Sequence, residues 1–402
     1  MILKDRFVEI IEHQREQLYL KHGGTERLIR PDLMTIGQEF IKVITGIRRC
    51  GKSTLMLQIL SQTDNSIFIN FEDPRLSTFE RNDFSRLDDI ILKMETQNLF
   101  FDEIQVLPEW EKYIRGKHDE GYQIFVTGSN ASLLSKELGT KLTGRHLSNE
   151  LFPFSYAEFL NFLDQKKGPE TSQEYMEKGG FPEYLKYDND EILYQVLYDI
   201  IYRDISVRYG IKRHETLKQM AVYLLSNTSK LMSYNQLKKL FVLGATNTAV
   251  DFVSYFQNSY LMFTVPKFDY SIKKQIVNQR KIYAVDTGLV SVNSLSFSKD
   301  QGRMLENAVF LTLRRKYKQI YYFRNVYECD FIVIHRNAVV YAIQVCYHLN
   351  DDNIDRELNG LAEAAKAAKP TKLLIVTFDQ EDHLEVDKKE VQLIPFWKWE
   401  LT

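Results

Sequence analysis

Eight consecutive residues, Gly46-Ile47-Arg48-Arg49-Cys50-Gly51-Lys52-Ser53, satisfy the pattern G-x-x-x-x-G-K-[ST] at every fixed position. A β-branched apolar run (Phe40, Ile41, Val43, Ile44) precedes them, and Thr54-Leu55-Met56-Leu57-Gln58-Ile59-Leu60, with helical character, follows. Strand, loop and helix in that order are the context that gives the pattern its meaning. The glycines let the backbone curl until its N–H groups face phosphate oxygens, and the helix N-terminus adds partial positive charge. Lys52 is then expected to reach the β/γ-phosphates and the Ser53 hydroxyl to ligate Mg²⁺. The spacing thus predicts a nucleoside-triphosphate site built from Gly46, Arg48, Arg49, Cys50, Gly51, Lys52, Ser53 and Thr54.

With 402 residues the chain exceeds one comfortable core, so two or three domains are expected. A formal net charge of -2 gives no global drive toward nucleic acid or membrane, and any such binding needs a local patch. Cys50, Cys329 and Cys346 are too scattered for a zinc knuckle or a disulfide framework, which suggests a reducing cytoplasm. No apolar run approaches membrane-spanning length, and Met1 to Ile11 lacks the apolar core of a signal peptide.

Phe7, Ile10, Ile11 and Leu18 recur at near-helical spacing, predicting a helix from about Lys4 to Leu20. Beyond the loop, strand-like runs fall at Ile67–Phe71, Leu99–Phe101 and Gln123–Thr127, separated by helical or polar stretches. Apolar strands alternating with helices read as an α/β unit with a buried parallel sheet. Asp164 to Ser172 reads as a polar surface loop. From Glu191 to Leu261 the pattern is helical; a strand pair, Leu261–Val265 and Arg280–Val285, then brackets a polar tip. After Gly302 a helix (Met304–Lys318) leads into strands at Gln319–Phe323, Cys329–Ile334, Val339–Val345 and Lys372–Thr377.

A phosphate loop alone hydrolyses nothing; an acidic residue at the end of a neighbouring strand is also required. Asn98-Leu99-Phe100-Phe101-Asp102-Glu103 supplies two. Asp102 is the expected holder of the Mg²⁺ shell and Glu103 the expected general base on water. Val126-Thr127-Gly128-Ser129-Asn130 ends the next strand, where Ser129 first and Asn130 second are candidates to position that water, against a plain turn. Arg145, after Gly144, is a candidate to meet developing phosphoryl charge, against a surface pair with Glu150.

Together, Gly-x-Arg-Arg-x-Gly-Lys-Ser, Phe-Phe-Asp-Glu-Ile-Gln, Thr-Gly-Ser-Asn and Leu-Thr-Gly-Arg resemble the AAA-type ATP-binding proteins of bacteria and archaea. Those proteins end in a domain of unknown function (DUF4143) with a restriction-endonuclease-like core. Leu151 to Phe159, Gly179-Gly180-Phe181-Pro182-Glu183 and Lys281 to Leu289 are similar to the family's downstream signatures. The resemblance implies an α/β fold: an AAA-like P-loop core with its N-terminal helix (1–160), a helical lid (161–212), a winged-helix-like domain (213–290) and a restriction-endonuclease-like domain (291–402). It also implies ATP as the nucleotide, and an Arg145 that acts in its own site or on a neighbouring subunit of a homo-oligomer.

In the winged-helix-like segment, Thr246, Asn247 and Thr248 open the helix that would meet a major groove. Lys273, Lys274, Arg280 and Lys281 near the wing would meet phosphates, although such domains often only join others. Arg203 and Arg208 fall in the lid, with a structural pair to Asp199 or Asp204 as the alternative. In the last domain Glu306, Asp330 and Gln344 outline a nuclease metal site, but Cys346 stands where a lysine is needed, so cleavage is not expected. The reading is an ATP-hydrolysing molecular switch. Its rivals are an ATP-gated DNA-binding protein with negligible turnover and a metal-dependent nuclease.

Overall fold

The computed structural model describes residues 2–20, 24–129, 144–295 and 300–399, with Tyr19 as backbone alone. The chain divides into two compact units: Met1–Phe152 with Asn258–Tyr260, and Pro153–Gln257 with Leu261–Thr402. Among the described residues no helix is long and apolar enough to cross a membrane.

The first unit is an α/β layer structure. Its strands are β1 (Ile41–Gly46), β2 (Ser66–Asn70), β3 (Asn98–Asp102), β4 (Gln123–Gly128) and β5 (His146–Leu151), in the order β2-β3-β4-β1-β5. All four pairings are parallel. The expected parallel sheet is therefore present, with β5 added at an edge where polar residues had hidden it. The middles of the central strands are buried and, Lys42 of β1 apart, apolar, because helices cover them. A core of α1 (Lys4–Leu20), α4 (Asp83–Lys93) and α5 (Trp110–Asp119) closes on the sheet through Phe7, Ile10, Ile11, Leu87, Ile90, Ile91, Trp110 and Ile114. The strand order has one consequence for the site. β4 lies between β1, which feeds the phosphate loop, and β3, which ends in the two carboxylates.

In the second unit, helices over Tyr156–Leu163, Pro169–Lys178, Pro182–Tyr187 and Glu191–Asp199 come first. The stretch read as a polar loop is thus half helix. Pro169 fits the first helical position, where its missing N–H costs nothing. Widened π-type turns carry the last of these helices on through Ile200–Val207. Three further helices (His214–Ser226, Tyr234–Leu240, Thr246–Asn258) accompany an antiparallel sheet of β6 (Leu231–Met232), β8 (Arg280–Ala284) and β7 (Met262–Pro266). The tip between β7 and β8 is not simply polar. It holds a short helix, Ile272–Val277, that exposes Ile272, Ile276 and Val277.

The chain ends in a six-stranded sheet, ordered β13-β14-β12-β11-β10-β9. These strands are β9 (Gln319–Arg324), β10 (Glu328–His335), β11 (Ala338–Val345), β12 (Lys372–Thr377), β13 (Asp382–Val386) and β14 (Lys389–Pro395). β11 and β12 are parallel, and the helix Ile354–Ala368 makes the crossover between them, packing Leu361, Ala364, Ala365 and Ala368 onto the sheet.

Candidate nucleotide site

The phosphate loop leaves β1 through two backbone conformations that favour glycine. Gly46 (φ 157°) stands so close to β5 that a Cβ there would lie 2.1 Å from the Leu151 carbonyl oxygen. Gly51 (φ 100°) caps the helix α3 (Lys52–Leu60) from the left-handed region, and Arg49 adopts φ 62° beside it. Cys50 is no reactive thiol. It is buried, its Sγ donates to the Leu151 carbonyl at 3.4 Å, and burial pushes its pKa up. Arg48 pairs with Glu72 at 3.3 Å, and Thr54 is half-buried in the first turn of α3.

Lys52 folds back over the loop. Its ammonium donates to the carbonyls of Gly46 (3.2 Å) and Ile47 (3.1 Å) and lies 3.5 Å from the Glu103 carboxylate. The Ser53 hydroxyl donates to Asp102 at 2.7 Å. Loop, Asp102 and Glu103 are therefore one connected group. Burial pushes Asp102 up to about 6, helped by the neighbouring negative charge of Glu103 and opposed by Thr127, Ser53 and Lys52. Burial works on Glu103 in the same sense, but the Lys52 charge and the Gln105 amide outweigh it and hold this carboxyl below its usual range.

Two parts of the site were not anticipated. Thr127, on the intervening strand, donates its hydroxyl to Asp102 and accepts the Glu103 backbone N–H at 2.9 Å. From the run Val126–Asn130 the sequence singles out Ser129 first and Asn130 second, not Thr127. Ser129 is buried just beyond β4, and Asn130 lies outside the described residues. The second surprise is Arg27, buried behind the loop. It donates to the carbonyls of Cys50 (2.8 Å) and Phe152 (2.7 Å), and its backbone N–H donates to Gln58. A lone arginine in a patternless stretch gives no signal for this role.

Arg145 is not brought to the loop of its own chain. It precedes β5, and its carbonyl accepts the Ile41 N–H at the start of β1. The phosphate loop begins at the other end of β1, about 16 Å away at ~3.3 Å per residue. Its side chain pairs with Asp119 rather than Glu150. Within its own chain Arg145 thus stands at the end of β1 away from the loop.

Residues 38–160 match an AAA domain, residues 169–300 a domain of unknown function (DUF8612) and residues 301–399 the domain of unknown function DUF4143. An uncharacterized protein of Methanocaldococcus jannaschii, MJ1544, is 38% identical over 395 residues, which cover 90% of this chain and 88% of that protein. The chain belongs to this family of AAA-domain proteins that end in DUF4143. A Haemophilus influenzae member is 28% identical over 382 residues, 89% of this chain and 94% of its own. Among solved structures, a Walker-type ATPase of Pyrococcus abyssi aligns with a TM-score of 0.44 at 15% identity, over 67% of this chain and 95% of that one. AMPPCP-bound DnaA from Aquifex aeolicus aligns with a TM-score of 0.27 at 12% identity, over 57% and 84%.

The signatures that this AAA–DUF4143 chain carries beyond its phosphate loop meet one another within the second unit. Asp286 caps the helix Thr287–Asn293 by accepting the Leu289 N–H at 2.9 Å, and its other oxygen accepts the Gly180 N–H at 2.7 Å. Burial pushes Asp286 up to about 6 against those bonds. Cβ atoms on Gly180 and Gly288 would lie 2.2 Å and 2.0 Å from the carbonyl oxygens of Phe154 and Lys178. Gly-Gly-Phe-Pro-Glu and Val-Asp-Thr-Gly-Leu are thus two halves of a packing joint. Arg203 pairs with Asp199 at 3.5 Å, the structural alternative. Lys281 does not face solvent beside the wing as expected; it is buried, with Glu306, Glu328 and Asp330 around its ammonium.

Proposed function

We propose that this protein binds Mg-ATP in the loop Gly46–Ser53 and hydrolyses it, and that hydrolysis drives a molecular switch acting on nucleic acid or a partner protein. The observation that carries this reading is the bond from Ser53 to Asp102, set beside the Lys52–Glu103 pair. A hydroxyl and a carboxylate oxygen are hard donors of the kind Mg²⁺ takes. The buried setting that pushes Asp102 up to about 6 also favours a cation beside it. Among the described residues no cluster of three His, Cys, Asp or Glu forms a protein cage, so phosphate oxygens and water would complete the ion's shell. What Mg²⁺ supplies when bound is neutralisation of phosphate charge.

The remaining chemistry belongs to the chain. Arriving phosphates draw the Lys52 ammonium away from the Gly46 and Ile47 carbonyls and from Glu103. Glu103 thereby loses the charge that holds its pKa down and gains the basicity to take a proton from water. Thr127 fixes the backbone of that residue through the Glu103 N–H. Ser129, buried at the end of β4, is placed in this reading as the sensor of the γ-phosphate. Arg145 would act on the nucleotide of a neighbouring copy, which makes a homo-oligomer part of the proposal. Three free, buried cysteines agree with a reducing cytoplasm.

ATP turnover by the wild-type chain, lost in Glu103→Gln while ATP binding is kept, tests the proposal. A second reading, an ATP-gated DNA-binding protein with negligible turnover, has support from exposed Asn247 at a helix start and from Lys273 and Lys274 on the β7–β8 tip. Absence of wild-type turnover, with DNA affinity that depends on ATP, would favour it.

A further inference from the structure

The C-terminal carboxylates singled out as a nuclease-type metal site do not stand open. Lys281, on β8, directs its ammonium between both of them, Asp330 Oδ1 at 2.7 Å and Glu306 Oε1 at 3.0 Å, and a third carboxylate that the sequence did not single out, Glu328 Oε1 at 2.6 Å. The side chain is 3% exposed. Each carboxylate comes from a different place in the chain, Glu306 from the helix Gln301–Lys316 and the other two from alternate positions of β10. Further bonds hold two of the carboxylates. Tyr283, two residues along β8 and so on the same face, donates its hydroxyl at 2.6 Å to the same Glu306 oxygen that Lys281 meets, and the Val345 N–H donates to the second Asp330 oxygen, Oδ2, at 2.9 Å. Gln344, the third residue of the nuclease-type pattern, is used up as well: its side-chain carbonyl accepts the Asp330 N–H and its amide donates to the Glu328 carbonyl.

Three carboxylates gathered round one point, two of them largely buried and Glu328 partly so, do not all remain ionised without a cation among them. Among the described residues no cluster of His, Cys, Asp and Glu is arranged to hold a metal ion. The ammonium stands at the point where the three carboxylates converge. We propose that Lys281 takes the place of a divalent cation, so that the C-terminal domain is a metal-free module whose acidic cluster is closed by the chain's own lysine. The thiol at Cys346 then ceases to be a puzzle, because a module with no metal has no metal-bound water for a lysine at that position to activate. The same ammonium binds β8 of the three-stranded sheet to β10 of the six-stranded sheet, and Asn307 adds to this seam by accepting the Ala284 N–H at 2.8 Å and donating to the Ala284 carbonyl at 3.1 Å.

The test is thermal unfolding of the full chain, without nucleotide, with and without Mn²⁺. In the wild type, any Mn²⁺-dependent rise should be the same in Asp330→Asn, since it arises elsewhere. Lys281→Ala should melt at a lower temperature and regain about 3 °C or more with saturating Mn²⁺. Adding Asp330→Asn to Lys281→Ala should abolish that gain. A wild-type Mn²⁺ shift that disappears in Asp330→Asn would overturn the proposal, because the site would then hold metal with the lysine in place. So would the absence of any Mn²⁺ gain in folded Lys281→Ala. If Lys281→Ala does not fold, Lys281→Met is compared with Lys281→Met/Glu306→Gln. Removing a negative charge should restore soluble, cooperatively melting protein. A double variant no better than the single would show that the lysine fills space rather than balancing charge, and would overturn the proposal as well.

Discussion

The Ser53 hydroxyl and the Asp102 carboxylate, 49 residues apart, meet at 2.7 Å where α3 begins and β3 ends. Because both belong to rigid elements, their separation is set by the sheet rather than by a mobile loop. Isothermal titration should record Mg²⁺-dependent ATP uptake by the wild type. Ser53→Ala and Asp102→Asn should each weaken it by about 10-fold or more, the cost of losing one charge-assisted contact of roughly 1.5–3 kcal/mol. Lys52→Ala should abolish it.

Glu103→Gln separates binding from chemistry. The amide keeps the shape of the side chain but cannot take a proton. Steady-state turnover should fall on the order of 100- to 10,000-fold, with ATP affinity preserved within a few-fold.

Arg27 makes a different kind of demand. Its guanidinium satisfies buried carbonyls of Cys50 and Phe152 from behind the loop, without itself being a candidate to touch nucleotide. Arg27→Met should leave those acceptors unpaired at about 1–3 kcal/mol each. The expected result is a lower melting temperature together with a raised dissociation constant for ATP. Glu103→Gln, which removes the charge paired with buried Lys52, should also lower the melting temperature but leave the dissociation constant for ATP within a few-fold.

Much of this was legible beforehand, for identifiable reasons. Phe7, Ile10, Ile11 and Leu18 follow a helical period because one face of α1 is buried, and all four are. The loop and the β3 carboxylates announce themselves by local spacing. What stayed hidden depends on contacts remote in sequence. Arg27 reaches a carbonyl 125 residues away. Lys281 looked like one more wing charge beside Lys273 and Lys274 until its strand was seen to face Glu306 and Asp330. Thr127 sits in the same strand-end run as Ser129, and its bond to Asp102 depends on which strand lies next to β3, which no local spacing gives.

Titration should show the same buried carboxylates. Asp102 and Asp286 are both pushed up to about 6 by burial, against about 3.9 in an unfolded chain. The folded protein therefore binds protons that the unfolded chain has already released. Their contribution to stability is fully present below about pH 4 and is lost as pH rises to about 6. The nucleotide-free melting temperature should carry this downward component between pH 4 and 6, and Asp102→Asn should remove part of it. Cation binding runs the other way, since it needs the ionised carboxylate. Apparent Mg-ATP affinity should be level above pH 6 and fall by up to about tenfold per unit below it.

Gly288→Ala tests the joint of the second unit. The added methyl would lie 2.0 Å from the Lys178 carbonyl oxygen, a backbone atom that cannot step aside cheaply. A loss of at least about 1–3 kcal/mol is expected, read as a drop in the urea midpoint. Gly116→Ala, where a Cβ meets nothing within 4 Å, serves as the control.

That joint also governs how the polypeptide can be cut. Asp286 holds the Gly180 amide across 106 positions, Thr287 donates to the Tyr175 carbonyl, and Asn293 reaches Leu193. Severing the chain near residue 212 would strand the Gly179-Gly180 turn without its acid and leave a buried carboxylate with amides to seek. The helices that follow Phe152 are therefore not a detachable lobe: they share their fate with the stretch around Asp286, and any shortened version of this protein has to keep both or lose both.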